Sequence, residues 1–206
     1  MKLYSNSFSP NCRKTHGVIT HLGLSLEKVS IDLMAGEQKQ PEFLAKNPNG
    51  MVPVLEDDTV TLFESNAILG YLCAQTDTSL WPKTTARYSI MQWLSWEQAH
   101  LARSFEPLVA QKIFGPMRGA EFDQEAWDEG LETYRKRAAA LNSALEGKRY
   151  LVGDSLTIAD FAVGVWFGYA DVLELPLDET PSIKSWLSNL GELPAWKEVV
   201  PPSPAS

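Results

Sequence analysis

Sulfur is scarce and irregularly placed, with two cysteines, Cys12 and Cys73, in 206 residues. A secreted disulfide scaffold carries more of them at regular spacing, so a stapled mini-protein is excluded. Long apolar runs are missing too. The longest, Phe161 to Ala170, has ten residues between Asp160 and Asp171, and about 20 are needed to cross a bilayer. No apolar stretch follows the single lysine of the opening MKLYSNSFSP, so the expected location is cytoplasmic, with no membrane partner. Histidine is limited to His16, His21 and His100. Five residues of helix turn the first two about 140° apart, which gives no metal spacing, and no metal is expected. There is no GxGxxG, no phosphate loop and no internal repeat. Positive charge is in deficit, since 18 Lys and Arg against 26 Asp and Glu leave −8. That balance repels a phosphate backbone, and the one basic run, Arg135-Lys136-Arg137, reads as a solvated helix face, so nucleic acid is not an expected partner.

What is present fits a globular chain of more than one unit. At about 150 residues per domain the length corresponds to roughly 1.4 domains, and a chain of this size buries about 70% of its unfolded surface without covalent staples. Residues 1–75 alternate short strand-like runs with helix-like ones, residues 76–85 are polar with one proline and read as a linker, and residues 86–206 are helical in period. In the first part Lys2-Leu3-Tyr4 reads as a strand. A helix is expected to start at Ser9-Pro10 and stop at Gly23, with Val29, Ile31 and Leu33 alternating behind it as a second strand. Pro41 to Lys46 reads as a short helix closed by the turn Asn47-Pro48-Asn49-Gly50. Met51–Leu55 and Val60–Phe63 read as a hairpin, and Ser65 is expected to cap a last helix carrying Ile68, Leu69 and Leu72. The order βαβ then ββα gives an α/β domain with one mixed four-stranded sheet. In the second part the stripe Trp127, Leu131, Tyr134, Ala138, Leu141, Leu145 steps by four and three, as helix packing requires. Thr157 and Asp160 are spaced as an acidic capping box, a structural cap at the start of a buried helix. The proline-rich end, 199–206, reads as a frayed tail.

The chemistry concentrates in the first part. A hydroxyl at a helix start sits where N–H groups and the positive dipole end favour an anion, so a thiol docked against Ser9 would be drawn toward thiolate. The plain alternative is that Ser9 only caps its own helix. Ser9-Pro10-Asn11-Cys12 also has the shape of a C-x-x-C motif whose first cysteine has become serine, which removes one of the two sulfurs that dithiol exchange needs. Cys12 reads as a small buried hydrophobe or as an alternative nucleophile. Val52-Pro53 suits a cis proline at a strand start, leaving the Val52 backbone free for a peptide ligand. Glu64 and Ser65 at a helix start could hold an ammonium and a carboxylate.

The blocks S-P-N-C-R-K, G-E-Q-K-Q-P-E-F, N-P-N-G-M-V-P-V-L, L-F-E-S-N-A-I and L-V-G-D-S-L-T-I-A-D-F, in this order, resemble the cytosolic glutathione S-transferase family, its serine-dependent branch in particular. The resemblance implies a thioredoxin-like domain followed by an all-helical one. It implies a detoxifying transferase in which glutathione is the co-substrate and the partner is a small electrophile. Carried over by position, Ser9 would donate to the glutathione sulfur and the Val52 backbone would pair with the cysteinyl part, with Pro53 as the cis residue. Glu64 and Ser65 would hold the γ-glutamyl end, and Gln38 and Lys39 would face the glycine carboxylate. Met51 and Asn66 depart from the usual residues and imply weaker glutathione affinity. Phe8, Trp96, His100 and Arg103 are the electrophile-site candidates. The resemblance also implies a homodimer that uses the Asn66–Leu72 face. Two other functions stay open at this point, a Cys12-dependent thiol-transferase or deglutathionylase and a non-catalytic interaction module of the same fold.

Overall fold

The computed structural model describes residues 1–117 and 119–201, and these form two units. One comprises Met1–Trp81 together with the chain from Leu193 onward, and the other Pro82–Glu192.

In the first unit β1 (Lys2–Ser5) leads through the Ser9-Pro10 start into α1 (Pro10–Leu22). The helix ends at Gly23, as its sequence predicts. Gly23 takes φ +64°, and the N–H of Leu24 reaches back to the Ile19 carbonyl at 3.1 Å, which closes the last turn. β2 (Glu27–Ser30) runs parallel to β1. After α2 (Pro41–Leu44), β3 (Val54–Glu56) and β4 (Thr61–Leu62) add antiparallel pairings, and the sheet order is β2-β1-β3-β4. The strands are shorter than their apolar runs suggest. Pro53 has no N–H to donate and delays β3 to Val54, while Asp57 accepts from the Thr59 N–H at 2.8 Å and forms the hairpin turn. α3 (Ser65–Ala74) lays Ile68 and Leu72 on Leu3, Ile19 and Leu55. Ile68, Leu69 and Leu72 are buried within this unit, so these three positions of the Asn66–Leu72 face are not available for the expected subunit pairing.

The divisions at 75 and 86 also shift. Leu80 is buried, and Trp81 lies against Gly70 of α3, so the segment behaves as part of the first unit up to Trp81. At the other end, the turn Pro194–Glu198 packs on α1 with Trp196 buried, and of the tail expected to fray, Val199 is buried and Val200 is exposed. Pro202 to Ser206 lie outside the described residues. Docking of that turn explains why α1 is buried on several faces at once. Arg13, Lys14, Thr15 and His16 follow one another with almost no exposure, a run that periodicity alone would leave half solvated.

The second unit is helical. α4 (Ala86–Trp96), α5 (Ala102–Val109) and α6 (Gly115–Met117) are joined through wide π turns at Glu97–Leu101 and Ala110–Phe114. Long α7 (Gln124–Ala144) buries Tyr134, Ala138 and Leu141 of its stripe. Gly130, between the stripe positions, lets α5 approach closely, since a Cβ there would lie 3.1 Å from the side chains of Pro107 and Leu108. α8 (Ile158–Gly164) lies wholly inside, and α9 (Pro181–Gly191) follows. At the start of α8 Thr157 and Asp160 exchange the two bonds of a capping box. The ten-residue apolar run ends up as interior helix, and no helix among the described residues is long and apolar enough to cross a membrane.

Candidate functional site

Ser9 occupies the N-cap of α1 with extended backbone (φ −76°, ψ 124°), and Pro10 follows as the first helical residue. Its carbonyl accepts the first helical bonds, from the N–H groups of Cys12 at 3.1 Å and Arg13 at 3.0 Å. Its hydroxyl makes no cap bond to that helix. It lies close enough to the Cys12 thiol to oppose the rise that burial gives that thiol's pKa. The turn ahead of Ser9 is organised by Asn6. The Asn6 amide donates to the Ile31 carbonyl at 2.9 Å, its oxygen accepts from the Phe8 N–H at 3.0 Å, and its carbonyl accepts from the Ser9 N–H at 3.1 Å. Sequence reasoning passed over Asn6, although Asn two residues before a turn is a recognisable Asx-turn signal.

Cys12 is fully buried, and burial pushes its thiol up to about 11, against the opposing pull of the Asn6 N–H, the Ser9 hydroxyl and the Arg13 and Lys14 charges. The helix N-terminus does not overcome desolvation here. A thiol with that value stays protonated at neutral pH, which weighs against its use as a nucleophile.

The Val52-Pro53 peptide is cis. Val52 lies just ahead of β3, outside the ladder that begins at the Tyr4–Val54 pair. Its approach is fixed by buried Asn47, whose amide donates to the Met51 carbonyl at 2.7 Å and whose oxygen accepts from the Asn49 N–H at 3.0 Å. Gly50 (φ +60°) completes the turn. A Cβ there would stand 2.8 Å from the Lys39 ammonium and 2.9 Å from the Gln38 carbonyl, so glycine is required for Lys39 to lie against this turn. Lys39 is exposed and donates to the Asn49 carbonyl at 3.4 Å. Gln38 behaves differently, because its amide turns inward to the Leu33 carbonyl at 3.3 Å.

Glu64 adopts φ +69°, a conformation that costs a non-glycine residue about 1–3 kcal/mol and concentrates at functional positions. It leaves Glu64 exposed immediately before α3. Ser65 is the first residue of α3 and not its cap, and its hydroxyl donates to Asn11 Oδ1 at 3.0 Å. Asn11, two residues beyond Ser9, thereby ties the starts of α1 and α3 together. The first unit thus collects Ser9, Lys39, Val52, Pro53, Glu64 and Ser65 on loops and helix starts around one sheet.

The electrophile-site candidates divide between the units. Phe8, in the first, is 62% exposed, so it is no core residue. In the second, Trp96 is half-buried at the end of α4, edge-on to Trp93 at 5.0 Å and 6.5 Å from the His100 ring, while His100 and Arg103 are exposed. Glu97 is buried and accepts from Trp166 Nε1 at 2.6 Å. Among the described residues no group of three or more His, Cys, Asp or Glu side chains is arranged to hold a metal ion.

A mixed four-stranded sheet with a cis proline at the start of its third strand, joined to a helical unit, defines a two-domain protein with a thioredoxin-like first domain. The family model "Glutathione S-transferase, N-terminal domain" matches residues 1–74, and its C-terminal counterpart matches residues 105–194. Glutathione S-transferase 3 of Zea mays is 32% identical over 100% of this chain and 98% of its own. Glutathione transferase F7 of Populus trichocarpa superposes with a TM-score of 0.86 at 32% identity, covering 96% of both chains. The transferase Ure2p6 of Phanerochaete chrysosporium, solved in complex with oxidised glutathione, gives 0.86 at 30% identity over 96% of this chain and 93% of its own. The chain belongs to the glutathione S-transferase family.

Proposed function

We propose that this transferase ionises the thiol of bound glutathione with Ser9 and directs it at small apolar electrophiles. The observation that carries the reading is the Ser9 hydroxyl, placed at a helix start yet bound to none of that helix's N–H groups. On binding, it donates to the glutathione sulfur. The Val52 backbone pairs with the cysteinyl residue, Lys39 attracts the glycine carboxylate, and Glu64 and Ser65 hold the γ-glutamyl end. Gln38, turned toward Leu33, serves the loop that carries Lys39. In a chain of net charge −8 an anionic peptide needs such placed groups, because the long-range field opposes it.

An ordinary thiol near pKa 8.5 is only a few per cent ionised at pH 7, and lowering it by two units corresponds to about 2.7 kcal/mol. One charge-assisted hydroxyl bond together with a helix dipole supplies about that much. The thiolate sulfur forms a bond to the electrophilic carbon, the thiol proton passes to solvent, and the leaving group departs with its electron pair. Phe8, Trp96, His100 and Arg103 are assigned to the electrophile. In the same reading the protein is a cytoplasmic homodimer, with support from its family relationship. The Cys12-dependent alternative is opposed by the burial of that thiol.

Ser9→Ala tests the reading. The pKa of bound glutathione, followed by thiolate absorbance, is expected to rise by about one to two units, with a 10- to 100-fold loss of kcat toward an activated aryl chloride at pH 7. The KM for glutathione is expected to stay nearly constant. An unchanged kcat would remove Ser9 from the mechanism.

A further inference from the structure

Ser9 is held on both sides by its backbone. Its carbonyl accepts the first helical bonds of α1, and its own N–H donates to the Asn6 carbonyl. One group of the preceding peptide unit remains, the Phe8 carbonyl, and it is held by a side chain of α1 that is itself anchored far along the chain. Arg13 Nη1 donates to the Phe8 carbonyl at 2.8 Å, and Nε of the same guanidinium donates to the Val199 carbonyl at 2.9 Å, across 186 residues of sequence. Arg13 is 1% exposed, and Val199 and Trp196 around it are buried. The peptide plane that delivers Ser9 is thus fixed at its N–H by a local turn, and at its carbonyl by a charged fork anchored in the returning C-terminal segment. A planar guanidinium can hold two carbonyls in one fixed geometry, which an ammonium on a flexible stem does less well.

We propose that Arg13 is a positioning residue for the thiol site, coupling the docked 194–200 segment to the Ser9 loop by clamping the Phe8 and Val199 carbonyls together. The proposal rests on the Ser9 reading above. Arg13 acts on the thiol through Ser9. Loss of the clamp frees the Phe8–Ser9 peptide to rotate, and the hydroxyl then spends less time aligned with the sulfur. Preorganised donors lose their effect under displacements of this kind. A competing account is that the Arg13 charge lowers the thiol pKa through space, and it predicts a different pattern among variants.

The test uses the full chain with Arg13→Met, Arg13→Lys, Ser9→Ala and the double variant Ser9→Ala/Arg13→Met. Folding is checked by circular dichroism. The readouts are kcat, KM for glutathione, and the pKa of the bound thiol. Arg13→Met is expected to raise that pKa by about one unit and lower kcat about tenfold at pH 7, with KM little changed. Arg13→Lys, which keeps the charge but not the fork, is expected to lie between Arg13→Met and the parent. In the Ser9→Ala background Arg13→Met is expected to add little, because both changes act on one hydroxyl. A folded Arg13→Met with parental pKa and kcat overturns the proposal, as does its full effect persisting in the absence of Ser9. If Arg13→Met does not fold, Arg13→Lys decides, and parental values there overturn the clamp in favour of the charge. Failure of Ser9→Ala to change kcat is a separate result, which refutes the Ser9 reading itself.

Discussion

Replacement of Asp160 gives a sharp test of how the helical unit is held together. The carboxylate is completely buried at the start of α8 and accepts four bonds. Oδ1 receives the Leu151 N–H at 2.8 Å and Trp186 Nε1–H at 3.0 Å, and Oδ2 receives the Thr157 N–H at 2.9 Å and the Thr157 hydroxyl at 3.1 Å. In Asp160→Ala the hydroxyl can turn elsewhere, but the three N–H donors cannot and are stranded in the interior. At about 1–3 kcal/mol for each stranded group, and with some relaxation, the loss is roughly 3–6 kcal/mol. That is a large part of the 5–15 kcal/mol that holds a typical domain. Asp160→Asn is gentler. With its amide nitrogen toward Thr157 it keeps the Leu151 and Trp186 bonds and donates to the hydroxyl, so only the Thr157 N–H is stranded, at about 1–3 kcal/mol. Urea unfolding followed by far-ultraviolet circular dichroism measures both, with the slope checked for a change in cooperativity. Burial raises the Asp160 pKa, so the folded chain binds this proton more readily than the unfolded one. The stability from that linkage is complete below the ordinary carboxylate value and is lost as pH rises through the raised one. The gap between the parent and Asp160→Asn is therefore expected to widen toward acid pH. An Asp160→Ala loss below 1 kcal/mol at unchanged slope would refute the argument that this carboxylate satisfies the donors around it.

Two further outcomes follow from buried titratable groups on α1. Cys12→Ser is expected to retain conjugation activity. In the parent, Cys12 should resist a thiol-directed reagent at neutral pH until denaturant is added, since its thiol is pushed up to about 11; rapid labelling of the folded protein at Cys12 would restore the alternative nucleophile. His16 is buried beside Ser5, 3.1 Å from its hydroxyl, and burial with the Lys28 charge lowers its pKa to about 4. Its neutral form is the one the fold accepts, so its contribution is present above the unfolded value near 6.5 and lost as pH falls toward 4. Parent stability should decline by up to about 3 kcal/mol across that window, and His16→Gln should flatten the decline; identical pH slopes in the two proteins would exclude the linkage.

The local order of the first unit was legible because each signal there is short-range. Ser9-Pro10 sets a helix start, Gly23 a left-handed stop, and Asn47 to Pro53 a turn into a strand, and these follow from backbone sterics and from which residues lack a donor or a Cβ. The stripe on α7 and the Thr157/Asp160 spacing were legible for the same reason, since both lie within a few residues of sequence. Tertiary structure decided whatever depends on partners distant in sequence. The burial of Arg13, Lys14 and His16 could not be read from α1, because the segment that covers them begins about 180 residues later. Cys12 has two readings in the sequence, and only the tertiary structure shows that it is completely buried despite its place near a helix start. Ser65 looked like a cap, and only the proximity of Asn11 gave its hydroxyl another partner. Sequence determines which residues can turn, cap or ionise, because those properties are local; the tertiary structure determines which of them water reaches, and in this protein that separates Ser9 from Cys12.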